Sequence, residues 1–250
     1  MAHPLRCLLA GLRFLTIIPT FSSAENDTDY LAGSLYFFTI IGISLGILAA
    51  GVAALLLYAA PTLVSAALVA VLLSLFSGFL HLDGLADTAD GFMSSKPADA
   101  CLEIMRDSRI GVMGAAAICA IFLIKTAALY SIIGREFFYA LLLAPAAGRT
   151  AIICLMSFLP YARENKGLAT LFYQGSTRSA ALFSVFLLLG LSAFLTPHKI
   201  IILSVTFCLV VIGFAILCRK KIAGATGDTL GAVCELTEVG VLIAFTLFLN

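Results

Sequence analysis

The feature that most constrains this chain is a long stretch without formal charge: no Asp, Glu, Lys or Arg occurs between Asp29 and Asp83. A helix needs only about 20 apolar residues to cross a bilayer, so this stretch is long enough for two spans. Hydrophobic residues make up 62% of the 250 residues and charged residues only 12%, whereas a soluble domain has roughly 25% charged residues. A water-soluble globular fold is therefore excluded.

Charges, prolines and turn residues divide the rest of the chain into further apolar runs. These runs predict helices, because alternating barrel strands would place a polar residue at every second position. The predicted spans cover residues 34–59, 62–80, 110–133, 138–159, 179–196, 200–218 and 230–249. Residues 5–19 carry Arg6 and Arg13 and are too short to span comfortably, so they predict an interfacial or re-entrant helix. The predicted fold is an all-α polytopic membrane protein with about seven transmembrane helices, forming one catalytic domain over residues 1–250.

The distribution of cationic residues predicts the orientation of these spans. When the connections alternate from side to side, eleven Lys and Arg residues fall on one face and two on the other. Such an excess marks the cytoplasmic face, which also receives the N-terminus. Nearly all acidic residues share this face, so the catalytic loops are predicted to be cytoplasmic. The net charge of +1 gives no basic field that would hold nucleic acid.

The densest polar motif runs from His81 to Gly91 and contains Asp83, Asp87 and Asp90. Their i, i+4, i+7 spacing places them along one face of a helix, about 6 Å apart per step. Three like charges on one face destabilise a helix unless divalent cations neutralise them, and carboxylate oxygens suit Mg²⁺ or Mn²⁺. The alternative is a solvated acidic helix start, where aspartates favour the helix dipole.

A second acidic set consists of Asp228, Glu235 and Glu238. The two glutamates lie one turn apart at the beginning of an apolar helix, where an unpaired carboxylate is costly and indicates function. The alternatives are snorkelling to the interface and pairing with the cationic residues 219–221.

A third motif spans residues 104–111 and contains Arg106 and Arg109, with Asp107 between them. Arginines at i and i+3 can form a fork for phosphate oxygens, although flanking positive charge would explain either arginine alone.

Four further cations belong to the predicted machinery or its surroundings. Arg149 lies within a span, so it requires a buried partner, either a carboxylate or a substrate phosphate. For Lys125, also within a span, snorkelling is the favoured interpretation. Arg163 and Lys166 lie in a connection and are either substrate contacts or topology charges.

Six motifs, in this order along the chain, resemble those of the cobalamin synthase family, the adenosylcobinamide-GDP ribazoletransferases. The motifs are Arg13–Pro19, His81–Gly91, Met105–Gly111, Gly148–Arg149, Pro160–Arg163 and Thr226–Glu238. The resemblance implies a Mg²⁺-dependent enzyme of the inner membrane that joins adenosylcobinamide-GDP to α-ribazole, or to its 5′-phosphate, and releases GMP. This reaction is the last assembly step of adenosylcobalamin. Besides the two substrates, membrane lipid is an implied partner, while a homo-oligomer and association with other cobalamin-assembly enzymes are left open.

The implied phosphoryl transfer assigns roles to the candidate residues. The expected metal ligands are Asp83, Asp87, Asp90, Asp228 and Glu235. Arg106 and Arg109 are expected to clamp phosphate oxygens, and Asp90 and His81 are the candidates for the base. The expected substrate-binding residues are Asp107, Arg149, Arg163, Lys166, Asp228, Glu235 and Glu238.

Two other functions compete with this hypothesis. A CDP-alcohol phosphotransferase of lipid synthesis also uses Asp and Gly motifs on membrane helices, but its longer motif is not present here. A secondary transporter would explain seven spans with intramembrane cations, but its sites usually lie near the midplane between repeated halves. Here the acidic residues gather at one edge and no repeat is visible.

Overall fold

The computed structural model describes residues 3–20, 27–163 and 167–247, and over these ranges the regular structure is helical, without a β-strand. This confirms the predicted all-α fold. The helices are α1 (Pro4–Leu15), α2 (Leu31–Ser34), α3 (Phe38–Ala59), α4 (Thr62–Leu75), α5 (Leu80–Met93), α6 (Ala98–Ile104), α7 (Val112–Ser131), α8 (Gly134–Phe158), α9 (Leu168–Phe172), α10 (Thr177–Leu195), α11 (Ile200–Ile222) and α12 (Gly227–Thr246).

Six helical segments of the described residues are long and apolar enough to cross a membrane. They are α2 with α3, α7, α8, α10, α11 and α12. A seventh span results if α4 and α5, which are bent by 86° relative to each other, are counted as one. The predicted polytopic architecture is therefore confirmed, and α1, with 12 residues, is the short N-terminal helix that the sequence predicts.

The bend between α4 and α5 departs from the predicted span over residues 62–80. Helix α4 ends at Leu75, and Gly78 (φ 58°) and Phe79 (φ 61°) then adopt left-handed backbone conformations that no continuous helix contains. The polar composition of α5 explains the change of direction, because Asp83 and Asp87 on successive turns are costly in hydrocarbon. Helix α5 instead packs one apolar side, including Leu85, into the core.

The connections collect at two opposite ends of the bundle. At one end, Ile17 N–H donates to the Phe76 carbonyl (2.9 Å), and the connection after α8 exchanges backbone hydrogen bonds with the segment before α12 through Ala162 and Ala225 (2.9 Å). We call this end, which also contains α1 and α5, the site face. At the other end, Lys199 Nζ donates to the carbonyl of Leu247 at 3.1 Å.

Helices α8 and α12 form the centre of the bundle. In the most apolar stretch of each helix, 83% of the residues of α8 and 78% of those of α12 are buried. The corresponding fraction is 22–33% in the other four segments that could cross the membrane. The remaining long helices surround this pair and present apolar side chains outward, as a bilayer requires. Most side chains on α12 are therefore shielded from both water and lipid, apart from its first turn and a few positions such as Ile243 near its end.

Two glycines allow α5 and α12 to cross in backbone contact. A Cβ atom on Gly84 would lie 2.7 Å from the carbonyl oxygen of Asp228, and one on Gly231 would lie 3.0 Å from the backbone of His81. Because these approaches leave no room for a side chain, the crossing depends on glycine at both positions. The crossing brings the acidic residues of α5 to the first turn of α12.

We expect Gly84→Ala to destabilise the protein by about 1–3 kcal/mol, because its methyl group would push α5 away from α12. The matched control is Gly213→Ala on α11, where an added Cβ meets nothing within 4 Å. That substitution should be neutral or stabilising by up to about 1 kcal/mol, since alanine is the better helix former. Thermal unfolding in detergent provides the measurement, and equal melting temperatures for the two variants would contradict the close crossing.

Candidate active site

Three carboxylates meet where α5 crosses the first turn of α12. Asp83 is exposed at the site face, while Asp87 and Asp228 are partly buried. Asp87 is repelled by Asp83, Asp228 and, more weakly, Asp90, while Arg163 attracts it. The structure thus brings together three of the five predicted metal ligands, and such a concentration of negative charge favours a bound cation.

Local structure at the start of α12 holds Asp228 in this position. Thr226 and Thr229 form a capping box, in which Thr226 N–H donates to Thr229 Oγ1 (2.8 Å) and Thr229 N–H donates to Thr226 Oγ1 (3.3 Å). Asp228 lies in the first helical turn, where the helix dipole stabilises negative charge. Arg163 donates to its carboxylate at 2.6 Å, so a predicted substrate residue is found beside the acidic cluster.

Asp90 is bound differently from the other two aspartates of α5. Its two carboxylate oxygens accept hydrogen bonds from the backbone N–H groups of Gly111 (2.7 Å) and Gly114 (2.9 Å) at the start of α7. A Cβ atom on Gly111 would lie 2.4 Å from one carboxylate oxygen of Asp90, and a Cβ atom on Gly114 would lie 2.5 Å from the other. Both positions therefore need glycine for the carboxylate to approach the backbone. Asp90 therefore caps α7 from a neighbouring helix, which departs from its predicted place in a shared metal shell.

The two arginines near α7 do not form the predicted fork. Arg106 and Arg109 are both exposed, and Arg109 donates to Asp107, two residues away, at 2.6 Å. The hydrogen bonds from Arg109 lower the pKa of Asp107 to about 2. Asp107 thus holds Arg109 on the surface beside the capped start of α7.

A buried ionic cluster lies deeper along α12. Lys125 Nζ donates to Glu235 and to Glu238, each at 2.7 Å, and Arg149 donates to the other oxygen of Glu238. All four residues are at most 1% exposed. Snorkelling of Lys125 is therefore wrong, because two carboxylates on the adjacent helix neutralise its ammonium group within the bundle.

The same cluster separates Glu235 from the aspartates with which it was predicted to share a metal ion. The charged groups that act most on Glu235 are Lys125, Glu238 and Arg149. Its second oxygen faces the Ser74 hydroxyl at 3.5 Å. Nor do the described side chains contain a group of three or more His, Cys, Asp or Glu residues already placed to hold a metal ion.

A cavity of about 230 Å³ opens beside the three carboxylates. Asp83, Asp228 and His81 form its polar part. Its remaining walls are apolar: they come from Phe14, Phe38, Leu80, Gly84, Ile152, Met156, Leu168, Ala169, Phe172, Gly227, Leu230 and Gly231. Sequence reasoning missed this cavity, because its walls come from segments far apart in the chain.

His81 is 3% exposed, and its Nε2 atom has no hydrogen-bond partner within the described part of the chain. A buried polar atom without a partner is uncommon and requires an explanation, such as a ligand.

Lys166, the last of the predicted substrate residues, lies outside the described residues.

Comparison with known proteins identifies the family. The family model for Cobalamin-5-phosphate synthase matches residues 7–246. The chain belongs to this family. It is accordingly a transferase of cobalamin biosynthesis.

Curated relatives are similar over nearly the whole chain. The adenosylcobinamide-GDP ribazoletransferase of Syntrophobacter fumaroxidans is 37% identical and covers 94% of this chain and 95% of its own length. The protein of the same name from Chlorobium phaeovibrioides is 35% identical, with 96% and 98% coverage. That of Desulforamulus reducens is 33% identical, with 96% coverage of both chains. No solved structure matches the chain.

Removing the charge of Lys125 should be among the most damaging substitutions in the bundle. Lys125→Met leaves the buried Glu235 without a cationic partner, while Glu238 keeps Arg149, at an expected cost of about 3–5 kcal/mol. Adding Glu235→Gln should recover part of that loss, because it removes the uncompensated charge. Lys220→Met, at an exposed position on α11, is the control and should stay within about 0.5 kcal/mol of wild type. Thermal unfolding of all four proteins tests this, and a double variant less stable than Lys125→Met would contradict the charge compensation.

Asp90→Asn should act mainly on stability. The amide keeps one acceptor but points a donor at the second backbone N–H, so we expect a loss of about 1–2 kcal/mol. Asp83→Asn should cost less than this, because Asp83 is exposed and its charge is repelled by neighbouring carboxylates. Chemical or thermal denaturation distinguishes the two variants, and an Asp90→Asn protein as stable as wild type would argue against the cap.

Proposed function

We propose that this protein transfers the adenosylcobinamide phosphate group from adenosylcobinamide-GDP to α-ribazole, or to its 5′-phosphate, with release of GMP. The observation that carries the proposal is the position of Asp83 and Asp228 in the lining of a mainly apolar cavity, with Asp87 close enough to be repelled by both carboxylates. Family membership supports it, because the curated relatives are named for this reaction. Oxygen ligands beside an apolar cavity suit a substrate with a diphosphate and an aromatic nucleoside as its partner.

The donor set fits Mg²⁺, or Mn²⁺ in its place. Both are hard cations that prefer carboxylate oxygens, and Mg²⁺ usually binds through one or two carboxylates together with waters and substrate phosphates. A complete cage of protein ligands is therefore not required, which agrees with the open arrangement at Asp83 and Asp87. When bound there, the ion would neutralise charge on the diphosphate and its leaving oxygen.

The chain's own residues would position the reacting groups. Asp83, Asp87 and Asp228 would hold the cation, and Arg163 beside Asp228 would contact a phosphate oxygen. Arg106 and Arg109 are exposed beside the capped start of α7 and would contact the diphosphate from outside. Asp90 would position this arginine segment through α7 instead of binding the ion.

In the proposed reaction the ribazole 3′-hydroxyl attacks the phosphorus that carries cobinamide. One P–O bond forms to the ribose, the bond from this phosphorus to the GMP oxygen breaks, and the hydroxyl proton is released. Positioning and charge neutralisation account for most catalysis of this kind, and the protein needs no covalent intermediate.

We further propose that the site face is cytoplasmic and that the protein lies in the inner membrane, with its N-terminus also cytoplasmic. Ten of the described Lys and Arg residues lie at this end of the helices and two at the opposite end, which is the distribution that the positive-inside rule requires. Contact with lipid follows from the apolar outer surfaces of the peripheral helices.

The direct test measures GMP release by the purified full-length protein from adenosylcobinamide-GDP and α-ribazole. We expect release with Mg²⁺, none with EDTA, and recovery on readdition of Mg²⁺ or Mn²⁺. Asp83→Asn and Asp87→Asn should reduce turnover about 100-fold or more, because each removes a charged ligand while keeping the size of the side chain. Asp99→Asn, an exposed aspartate on α6, is the matched control and should retain wild-type turnover.

The competing functions give different results in the same assay. CMP release from a CDP-activated lipid would indicate the lipid phosphotransferase, and substrate flux into liposomes without conversion would indicate a transporter. Unimpaired turnover in both Asp83→Asn and Asp87→Asn would defeat the assignment of the carboxylates to a cation.

A further inference from the structure

The cavity beside the carboxylates has the chemistry of a site for a flat aromatic group. Phe172 lies at the centre of its aromatic contacts, with ring centroids 4.7 Å from Phe14 and 5.6 Å from Phe38. Ile152 and Met156 of α8 complete an apolar wall. Aromatic rings prefer tilted or offset contacts with other rings, so such a wall favours a planar ring system over an alkyl chain of equal volume.

We propose that this cavity binds the aromatic base of the ribazole, with Phe14, Phe38 and Phe172 against the ring system. The inference rests on the proposed function and specifies which of the two substrates the cavity receives. α-Ribazole is the nucleoside of 5,6-dimethylbenzimidazole, whose fused rings carry two methyl groups and one unsubstituted nitrogen. His81 also lines the cavity, but its Nε2 atom is enclosed by the protein, so the aromatic walls and not this atom carry the assignment.

The size and polarity of the cavity distinguish this base from the other parts of the substrates. Pockets for drug-sized ligands measure roughly 300–1,000 Å³, so a cavity of about 230 Å³ suits one fused-ring base and not a corrin macrocycle. Guanine carries donors and acceptors around most of its edge, which walls made mainly of Phe, Ile, Met and Leu side chains would leave unpaired. The benzimidazole base demands only one polar partner.

The location of the cavity also matches the reaction. Asp83 and Asp228 belong both to its lining and to the carboxylate cluster, so a base inside the cavity leaves the attached ribose at the proposed cation site. The 3′-hydroxyl of that ribose is the nucleophile in the proposed transfer. Burying the base would therefore orient the hydroxyl toward the diphosphate.

Because the chain contains no tryptophan, a single introduced tryptophan reports on one place alone. Phe172→Trp places this fluorophore in the cavity, and titration with α-ribazole should change its emission with saturation. Free 5,6-dimethylbenzimidazole should give the same change and compete with α-ribazole. Phe207→Trp, in the apolar cavity between α8, α10 and α11, is the control and should not respond.

A second variant tests the proposal by kinetics. Ala169→Leu narrows the cavity from α9 and should raise the KM for α-ribazole about tenfold, with little change in the KM for adenosylcobinamide-GDP. The riboside of unsubstituted benzimidazole is smaller and should be affected less. Ser204→Leu, which narrows the other cavity, should leave both KM values unchanged.

Several results would overturn the proposal. One is fluorescence of the Phe172→Trp variant that responds to GMP or GDP but not to α-ribazole. A second is an equal fluorescence response to α-ribazole in the Phe172→Trp and Phe207→Trp variants. A third is an Ala169→Leu variant whose KM values for α-ribazole and adenosylcobinamide-GDP rise equally. Failure of the proposed function is distinguishable, since it is the absence of GMP release by the wild-type protein, whereas the fluorescence titration needs no turnover.

Discussion

Two cations and two carboxylates compensate one another in the interior of this bundle, and the arrangement of the central helices depends on that balance. Lys125 from α7 and Arg149 from α8 meet Glu235 and Glu238 from α12 at fixed depths along their axes. Desolvating such groups costs several kcal/mol for each ion, so they are stable only when every charge finds its partner. The cluster thus specifies the register of α7 and α8 against α12, because sliding any helix by one turn would leave a charge unpaired.

The register of α7 and α8 against α12 also determines which residues of α12 reach the site face. Asp228 precedes Glu235 by seven residues on α12, about 10 Å along the helix axis. The buried glutamates are consequently neutralised by the protein, whereas at the site face Arg163 attracts Asp87 and Asp228, and Asp87 is repelled by Asp83 and Asp228. One helix therefore carries a buried acidic pair that is neutralised inside the bundle and, two turns earlier, an aspartate that is paired with Arg163 at the site face.

Hydropathy along the chain predicted six of the seven spans and the short N-terminal helix, because transfer of apolar residues into a bilayer depends on composition over about 20 residues and little on neighbouring helices. The i, i+4, i+7 spacing correctly placed Asp83 and Asp87 on one helix. It could not show that Asp90 meets the backbone of α7, since that contact requires Gly111 and Gly114 from another element. The pairing of Lys125 likewise depends on which helix packs beside it, and the sequence alone allowed a lysine inside a span either to snorkel or to pair with a buried carboxylate.

The position of the site at the membrane surface follows from the composition of α5. A helix with aspartates on successive turns cannot remain in hydrocarbon, yet Leu82, Leu85 and Phe92 on the same helix are buried in the core. The left-handed turn at Gly78 and Phe79 resolves this conflict by turning α5 away from the direction of α4. The acidic side of α5 then faces the water-accessible end of the bundle while its apolar side anchors the helix. Such a boundary brings carboxylate oxygens and an apolar aromatic cavity together in one site, which the proposed diphosphate and aromatic nucleoside substrates would both use.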